Sequence, residues 1–234
     1  MIMKKLLICS ILLMCSSIVS AQKEKIKYGI SVFPNFSMEL VNNQGEVPQD
    51  KVDRIKSNEV AKPSFSVALN ASKKINDKWS LVSGLGYQNN GGRTVVREFY
   101  KIDPTIGFIY EGKGRAIFNH HSVELSLLAK RRVYKSYYVI GGGSGTFNFL
   151  NTITSKDWDE KDKVDRTVNE DKSSDFREMN VYVNFGIGRE FKKGEKLQWY
   201  IHPFAQLGLL GVSHYEPLNR NILALGLTTG FFLN

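Results

Sequence analysis

The sequence predicts an all-β fold, an eight-stranded antiparallel up-and-down transmembrane β-barrel preceded by a cleaved signal peptide. Three observations predict it. Apolar residues recur at every second position in stretch after stretch. The intervening positions are small or amide-bearing and rarely charged. The N-terminus has the layout of an export signal.

The export signal comes first. Two lysines lie within Met1 to Lys5, an apolar run fills Leu6 to Met14, and small residues end at Val19-Ser20-Ala21. This order predicts cleavage after Ala21, leaving residues 22–234 as one outer-membrane β-barrel domain. The apolar run is about half of the roughly 20 residues that a spanning helix needs. Lipidation at Cys15 is disfavoured, because bulky Met14 stands where processing wants a small side chain. Both cysteines, Cys9 and Cys15, leave with the signal. The remaining 213 residues then hold no thiol, which excludes disulfides, thiol catalysis and cysteine metal sites.

Strands are expected near 26–41, 62–75, 78–103, 106–131, 135–150, 176–192, 197–213 and 221–233. The first carries Tyr28, Ile30 and Val32. In the second, Phe65, Val67, Leu69 and Ala71 oppose Ser64, Ser66, Ala68 and Asn70. Trp79, Leu81, Leu85 and Tyr87 mark the third, and Val123, Leu125, Leu127 and Ala129 mark the fourth. The fifth is the aromatic stretch from Tyr137 to Phe149. Val181, Val183, Phe185 and Ile187 define the sixth, and Trp199, Ile201, Ala205, Leu207 and Leu209 the seventh. In the last, Leu223, Leu225, Leu227, Phe231 and Leu233 oppose Ala224, Gly226, Thr228 and Gly230. Successive side chains of a strand point to opposite faces, so each segment has one apolar face and one small or polar face.

The connections alternate in character. Ile75 to Lys78, Arg132 to Lys135 and Lys192 to Lys196 are tight, and the join at Asp103-Pro104 is short. Residues 42–61 and 151–175 are long and polar, and 214–220 is intermediate. Short turns at one end and long excursions at the other are the habit of outer-membrane barrels.

A water-soluble barrel would carry Lys, Glu and Arg on its less apolar face. Here that face is mostly Gly, Ser, Asn, Thr and Gln with sparse charges, which suits a narrow filled lumen and leaves the apolar face to lipid. Open sheet edges are too costly in lipid, so the sheet must close. Aromatics gather near the tight turns: Tyr28, Trp79, Tyr134, Tyr137, Tyr138, Phe191, Trp199, Phe231 and Phe232, as expected at a membrane–water boundary. Formal net charge is +9, or +7 without Lys4 and Lys5. Thirteen cations against three acids at the N-terminal lead and tight turns make that rim about +10, a match for phospholipid headgroups.

The export signal followed by eight such strands resembles the small outer-membrane β-barrel superfamily, close to porin-like and PorT-like families. Val123-Glu124-Leu125-Ser126-Leu127-Leu128-Ala129-Lys130, the Tyr-rich strand ending in Gly141-Gly142-Gly143, and Gly226-Leu227-Thr228-Thr229-Gly230-Phe231-Phe232 carry the resemblance. It implies a bacterial outer-membrane location, contact with phospholipid and lipopolysaccharide, and handling by the barrel-assembly machinery. Leu233-Asn234 after Phe232 depart from the usual terminal aromatic.

Three constellations hold residues suited to chemistry. Gly141-Gly142-Gly143-Ser144-Gly145 lacks the Lys-Ser/Thr and the helix of a phosphate loop, and reads as a strand that must bend or make room for Phe147 and Phe149. His120, Ser122 and Glu124 share a face and hold the ingredients of acyl chemistry, but parity turns them to the lumen, away from acyl chains. They read instead as part of a lumen-facing polar network of His120, Glu124, Glu190 and His202. Asp157, Asp159, Glu160, Asp162 and Asp165 offer oxygen ligands to calcium, yet without EF-hand spacing and with basic residues interleaved, which reads as a solvated loop.

The expected function is a non-enzymatic barrel, structural or interaction-bearing through its long loops, with no cofactor and no nucleic-acid partner. An accessory barrel of a secretion machine, bound to envelope proteins through the basic rim, is the alternative. A lipid-modifying enzyme and a soluble periplasmic ligand-binding barrel follow.

Overall fold

The computed structural model describes residues 26–43, 45, 47–103, 107–158, 164–171, 175–193, 197–213 and 218–233. The expected signal peptide, 1–21, lies outside these residues. The described chain forms twelve strands and one helix. The strands are β1 Lys27–Asn43, β2 Glu59–Val60, β3 Lys62–Lys74, β4 Trp79–Asn90, β5 Arg93–Thr94 and β6 Arg97–Asp103. They continue with β7 Gly107–Tyr134, β8 Tyr137–Trp158, β9 Val164–Asp171, β10 Met179–Lys193, β11 Leu197–Gly208 and β12 Leu218–Leu233. The helix, α1, is Gln49–Lys56.

All pairings are antiparallel, and eight strands pair in a closed cycle: β1, β3, β4, β7, β8, β10, β11, β12 and back to β1. The closing seam runs from Tyr28 opposite Leu233 to Asn43 opposite Leu218. Neighbours in the cycle are consecutive in the chain, apart from the short strands, so the topology is up-and-down. Closure removes the sheet edges that lipid would not tolerate.

The sheet nevertheless holds four strands more than the eight expected. β2 and β5 pair with each other, β6 pairs with β7, and β9 pairs with β8. The expected strand 78–103 is divided, because the chain leaves the wall at Gly91, whose φ of 140° suits glycine. There Ser37 Oγ donates to Gly91 O at 2.8 Å and accepts from Gly91 N at 3.0 Å. The expected loops are also structured: α1 and β2 lie within 42–61, and the end of β8 with β9 lies within 151–175.

β7 is 28 residues long and β8 is 22, whereas a transmembrane strand needs about 9–11. Both therefore project far past the lipid at the end opposite the tight turns, called here the loop end. Among the described residues, the last exposed large apolar side chains toward that end are Val123 on β7 and Phe149 on β8, and pairing continues the strands above them.

The alternation sorts as the sequence predicts. Leu225 is 51% exposed and Ala224 0%, and Phe185 and Leu125 likewise face outward. Inside, the turn-end half is filled by Val82, Leu128, Tyr138, Ile140, Tyr200 and Phe232, with Phe204 packed against them. Tyr138 and Phe232, assigned from sequence to the boundary belt, are buried in the lumen. Their even positions put them on the inward face of β8 and β12, so parity and not residue type decides. Tyr28, Trp79, Tyr134, Tyr137, Phe191 and Trp199 do stand exposed on the outside, with Phe231 half-buried against Trp199.

Candidate functional site

The loop-end mouth is built where β1 and β12 run out together, Val41 opposite Arg220. Val41, Val52 and Leu218 are buried together, with Val47 and Ile55 against them, and this cluster seats α1 on the mouth. Asp50 in the first turn and Arg54 and Lys56 in the last complement the helix dipole.

Beneath α1 lies a chain of paired charges. Arg220 Nη1 donates to Glu39 Oε2 at 2.9 Å and also to Glu59 Oε1. Glu39 Oε1 is 3.1 Å from His120 Nε2, and His120 Nδ1 is 2.8 Å from Asn151 Oδ1. The run Glu59–Arg220–Glu39–His120–Asn151 thus ties β2, β12, β1, β7 and β8 together. Charges out of water are tolerated when each has a partner, and here Arg220 lies between two carboxylates. Its guanidinium is also 5.8 Å from the Phe118 ring centroid. Burial pushes the Glu59 carboxyl up to about 7, against the pull of Arg220 and with the help of the Glu39 charge. Cavities of about 370 and 290 Å³ flank Arg220 and Phe118.

The four residues expected to form one lumen network are all buried or half-buried, but they stand at different levels. His120 belongs to the mouth. Glu124 accepts from Gln206 Nε2 at 2.8 Å, and Gln206 Oε1 accepts from Asn90 Nδ2 at 3.4 Å. His202 Nδ1 is 2.8 Å from the Tyr138 hydroxyl, and its ring stacks on Tyr200 at 5.7 Å. Glu190 sits near the tight turns, 2.5 Å from Lys130 Nζ and 3.9 Å from Arg132. The strands are staggered around the barrel, so sharing the inward face does not place residues at one height.

His120 gives both ring nitrogens to Glu39 and Asn151, leaving neither for Ser122. Of the acidic residues considered for calcium, Asp159, Glu160 and Asp162 lie outside the described residues. Asp157 and Asp165 lie on β8 and β9, within strands and not in an open loop. Among the described residues no three potential ligands converge on a metal site. Glu39, Glu59 and Arg220 escaped the sequence reading. Glu39 sits at an inward position between Met38 and Leu40, which was a signal, but its partner Arg220 is 181 positions away.

At the turn end, outward cations lie over boundary aromatics. Arg131 is 5.4 Å from the Trp79 ring, Lys135 5.1 Å from Tyr134, and Arg189 5.3 Å from Tyr137 and 5.0 Å from Phe191. In the turn itself, a hydrogen bond and charge from Lys74 hold the exposed Asp77 carboxyl below its usual range.

The family model described as outer membrane protein beta-barrel domain matches residues 20–218. No curated protein matches the sequence. Among solved structures, Neisserial surface protein A aligns over 90% of this chain and 99% of its own, at 10% identity and TM-score 0.40. Ail, the attachment invasion locus protein of Yersinia pestis, aligns over 88% and 99%, at 12% identity and TM-score 0.34. The outer membrane protease OmpT of Escherichia coli aligns over 90% and 93%, at 10% identity and TM-score 0.32.

Proposed function

Because the chain belongs to the outer membrane protein β-barrel domain family, we propose that it serves the outer membrane as a non-enzymatic support. In this reading it presents the projecting strands β6 to β9 and the α1 insert to partners outside the cell. The filling of the lumen supports the reading. Midway along the barrel Gln88 is 0% exposed, Tyr182 1% and Gln206 2%, and the aromatic cluster around Tyr200 and Phe232 closes the turn-end half. The gap left among these side chains is about 80 Å³, room for a few waters. Eight strands enclose side chains and little else, so the interior has no solute path.

The same reading gives the lipids a place. Phospholipid phosphates would meet Arg131, Lys135 and Arg189 above their aromatic rings at the turn end, with lipopolysaccharide facing the loop end. Reconstitution into a planar bilayer tests the sealed interior. The native protein should insert without stepwise conductance in molar salt. Regular current steps from it would remove the support reading in favour of a pore.

A further inference from the structure

We propose that the loop-end mouth binds a small zwitterion of the amino-acid type in the cleft over Gly114. Arg97 on β6 is opposite Gly114 on β7, and Gly114 is opposite Asp157 on β8. Directly opposed residues of antiparallel strands share a face. Arg97 and Asp157 therefore flank a residue with no side chain, two strand spacings or about 10 Å apart at the backbone. One row toward the membrane, Ala116 is opposite Ser155, and Thr94 Oγ1 accepts from Ala116 N at 3.0 Å. Phe118 follows on the same face. Together with Ile55 of α1 these residues line the cavity of about 370 Å³, at the lower end of the roughly 300–1,000 Å³ usual for ligand sites.

The state of the charges selects the ligand. Arg97 uses its Nε on Asn58 Oδ1 at 3.1 Å, and no other bond engages its terminal nitrogens among the described residues. Asp157 has no hydrogen bond or ion pair among the described residues, and the two do not pair with each other. Glu59 Oε2, on the same wall, is buried without a partner, whereas Arg220 is already held by two carboxylates. A lone anion would face Asp157, and a lone cation would face Arg97, Arg115 and Arg220. A molecule with both charges satisfies both sides: its carboxylate on Arg97, its ammonium on Asp157, and an apolar body over Ala116 and Phe118. This site goes beyond the support role and does not depend on it.

Calorimetric titration of the folded, detergent-solubilised full chain tests the site. L-phenylalanine should bind, and 2-phenylethylamine and 3-phenylpropionate, each with one charge removed, should bind about tenfold more weakly or worse. Asp157→Asn should bring phenylalanine down to the level of phenylpropionate, and Arg97→Gln down to that of phenylethylamine. Gly114→Val should fill the cleft and remove binding, and Arg131→Gln, at the far end, should change nothing. Each variant must keep its heat-sensitive gel mobility as proof of folding. Because the three ligands are compared first on the native chain, the result does not hang on any variant. No heat from phenylalanine at millimolar concentration, or equal affinity for all three ligands, would overturn the proposal.

Discussion

Glu59 gives the loop end a dependence on pH. Its carboxyl holds a proton up to about 7 in the folded protein, against an ordinary value of 4.5, because burial penalises the charged form more than Arg220 rewards it. The folded state therefore binds the proton more tightly than the unfolded chain. The stabilisation is complete below the unfolded value and is lost as pH rises through about 7. Amide exchange across residues 49–60, corrected for its chemical rate, should slow when pH falls from about 8 to about 5. Glu59→Gln should flatten that profile. A segment better protected at the higher pH would show that the ionised pair with Arg220 dominates. At the other end, the exposed Asp77–Lys74 pair, 2.7 Å apart, is screened by water and contributes little.

Among the elements, β8 shows what one strand owes to its glycines. A methyl group at Gly142 would overlap the Leu127 carbonyl oxygen and stand 2.9 Å from Leu128 Cα, so β8 approaches β7 there as only glycine permits. At Gly145 nothing lies within 4 Å of the same added atom. Gly142→Ala should destabilise the detergent-folded barrel by about 1–3 kcal/mol in urea, and Gly145→Ala should be neutral or slightly stabilising. Equal effects would assign the glycine run to bending in general and not to this contact. The contrast also marks how far sequence carries. The spanning part of each strand was legible because lipid demands an apolar residue at every second position, as at Leu223, Leu225 and Leu227. Above the lipid that demand ends. Val164–Asp171 is a strand with five charged or amide residues that pairs with β8, and its polar sequence reads as loop. The eight residues of α1 offer only Val52 and Ile55 as a helical period, too short a signal beside the flanking polar chain. The mouth cluster was hidden for another reason, since only ring closure brings Glu39 to Arg220.

For the whole molecule, one division of surfaces organises everything else: apolar side chains outward against lipid, polar and aromatic side chains packed inward. From it follow the closed ring, the filled lumen, and a loop end whose strands and insert stand clear of the lipid. Spin labels on single cysteines introduced into residues 22–234, a segment with no cysteine of its own, measure this division residue by residue in reconstituted vesicles. Along β12 an alternation is expected: labels at 223, 225 and 227 collide readily with dissolved oxygen and poorly with a water-soluble nickel complex, while those at 224, 226 and 228 are shielded from both. An unbroken gradient along the strand, or nickel access at 225 equal to that in buffer, would contradict it.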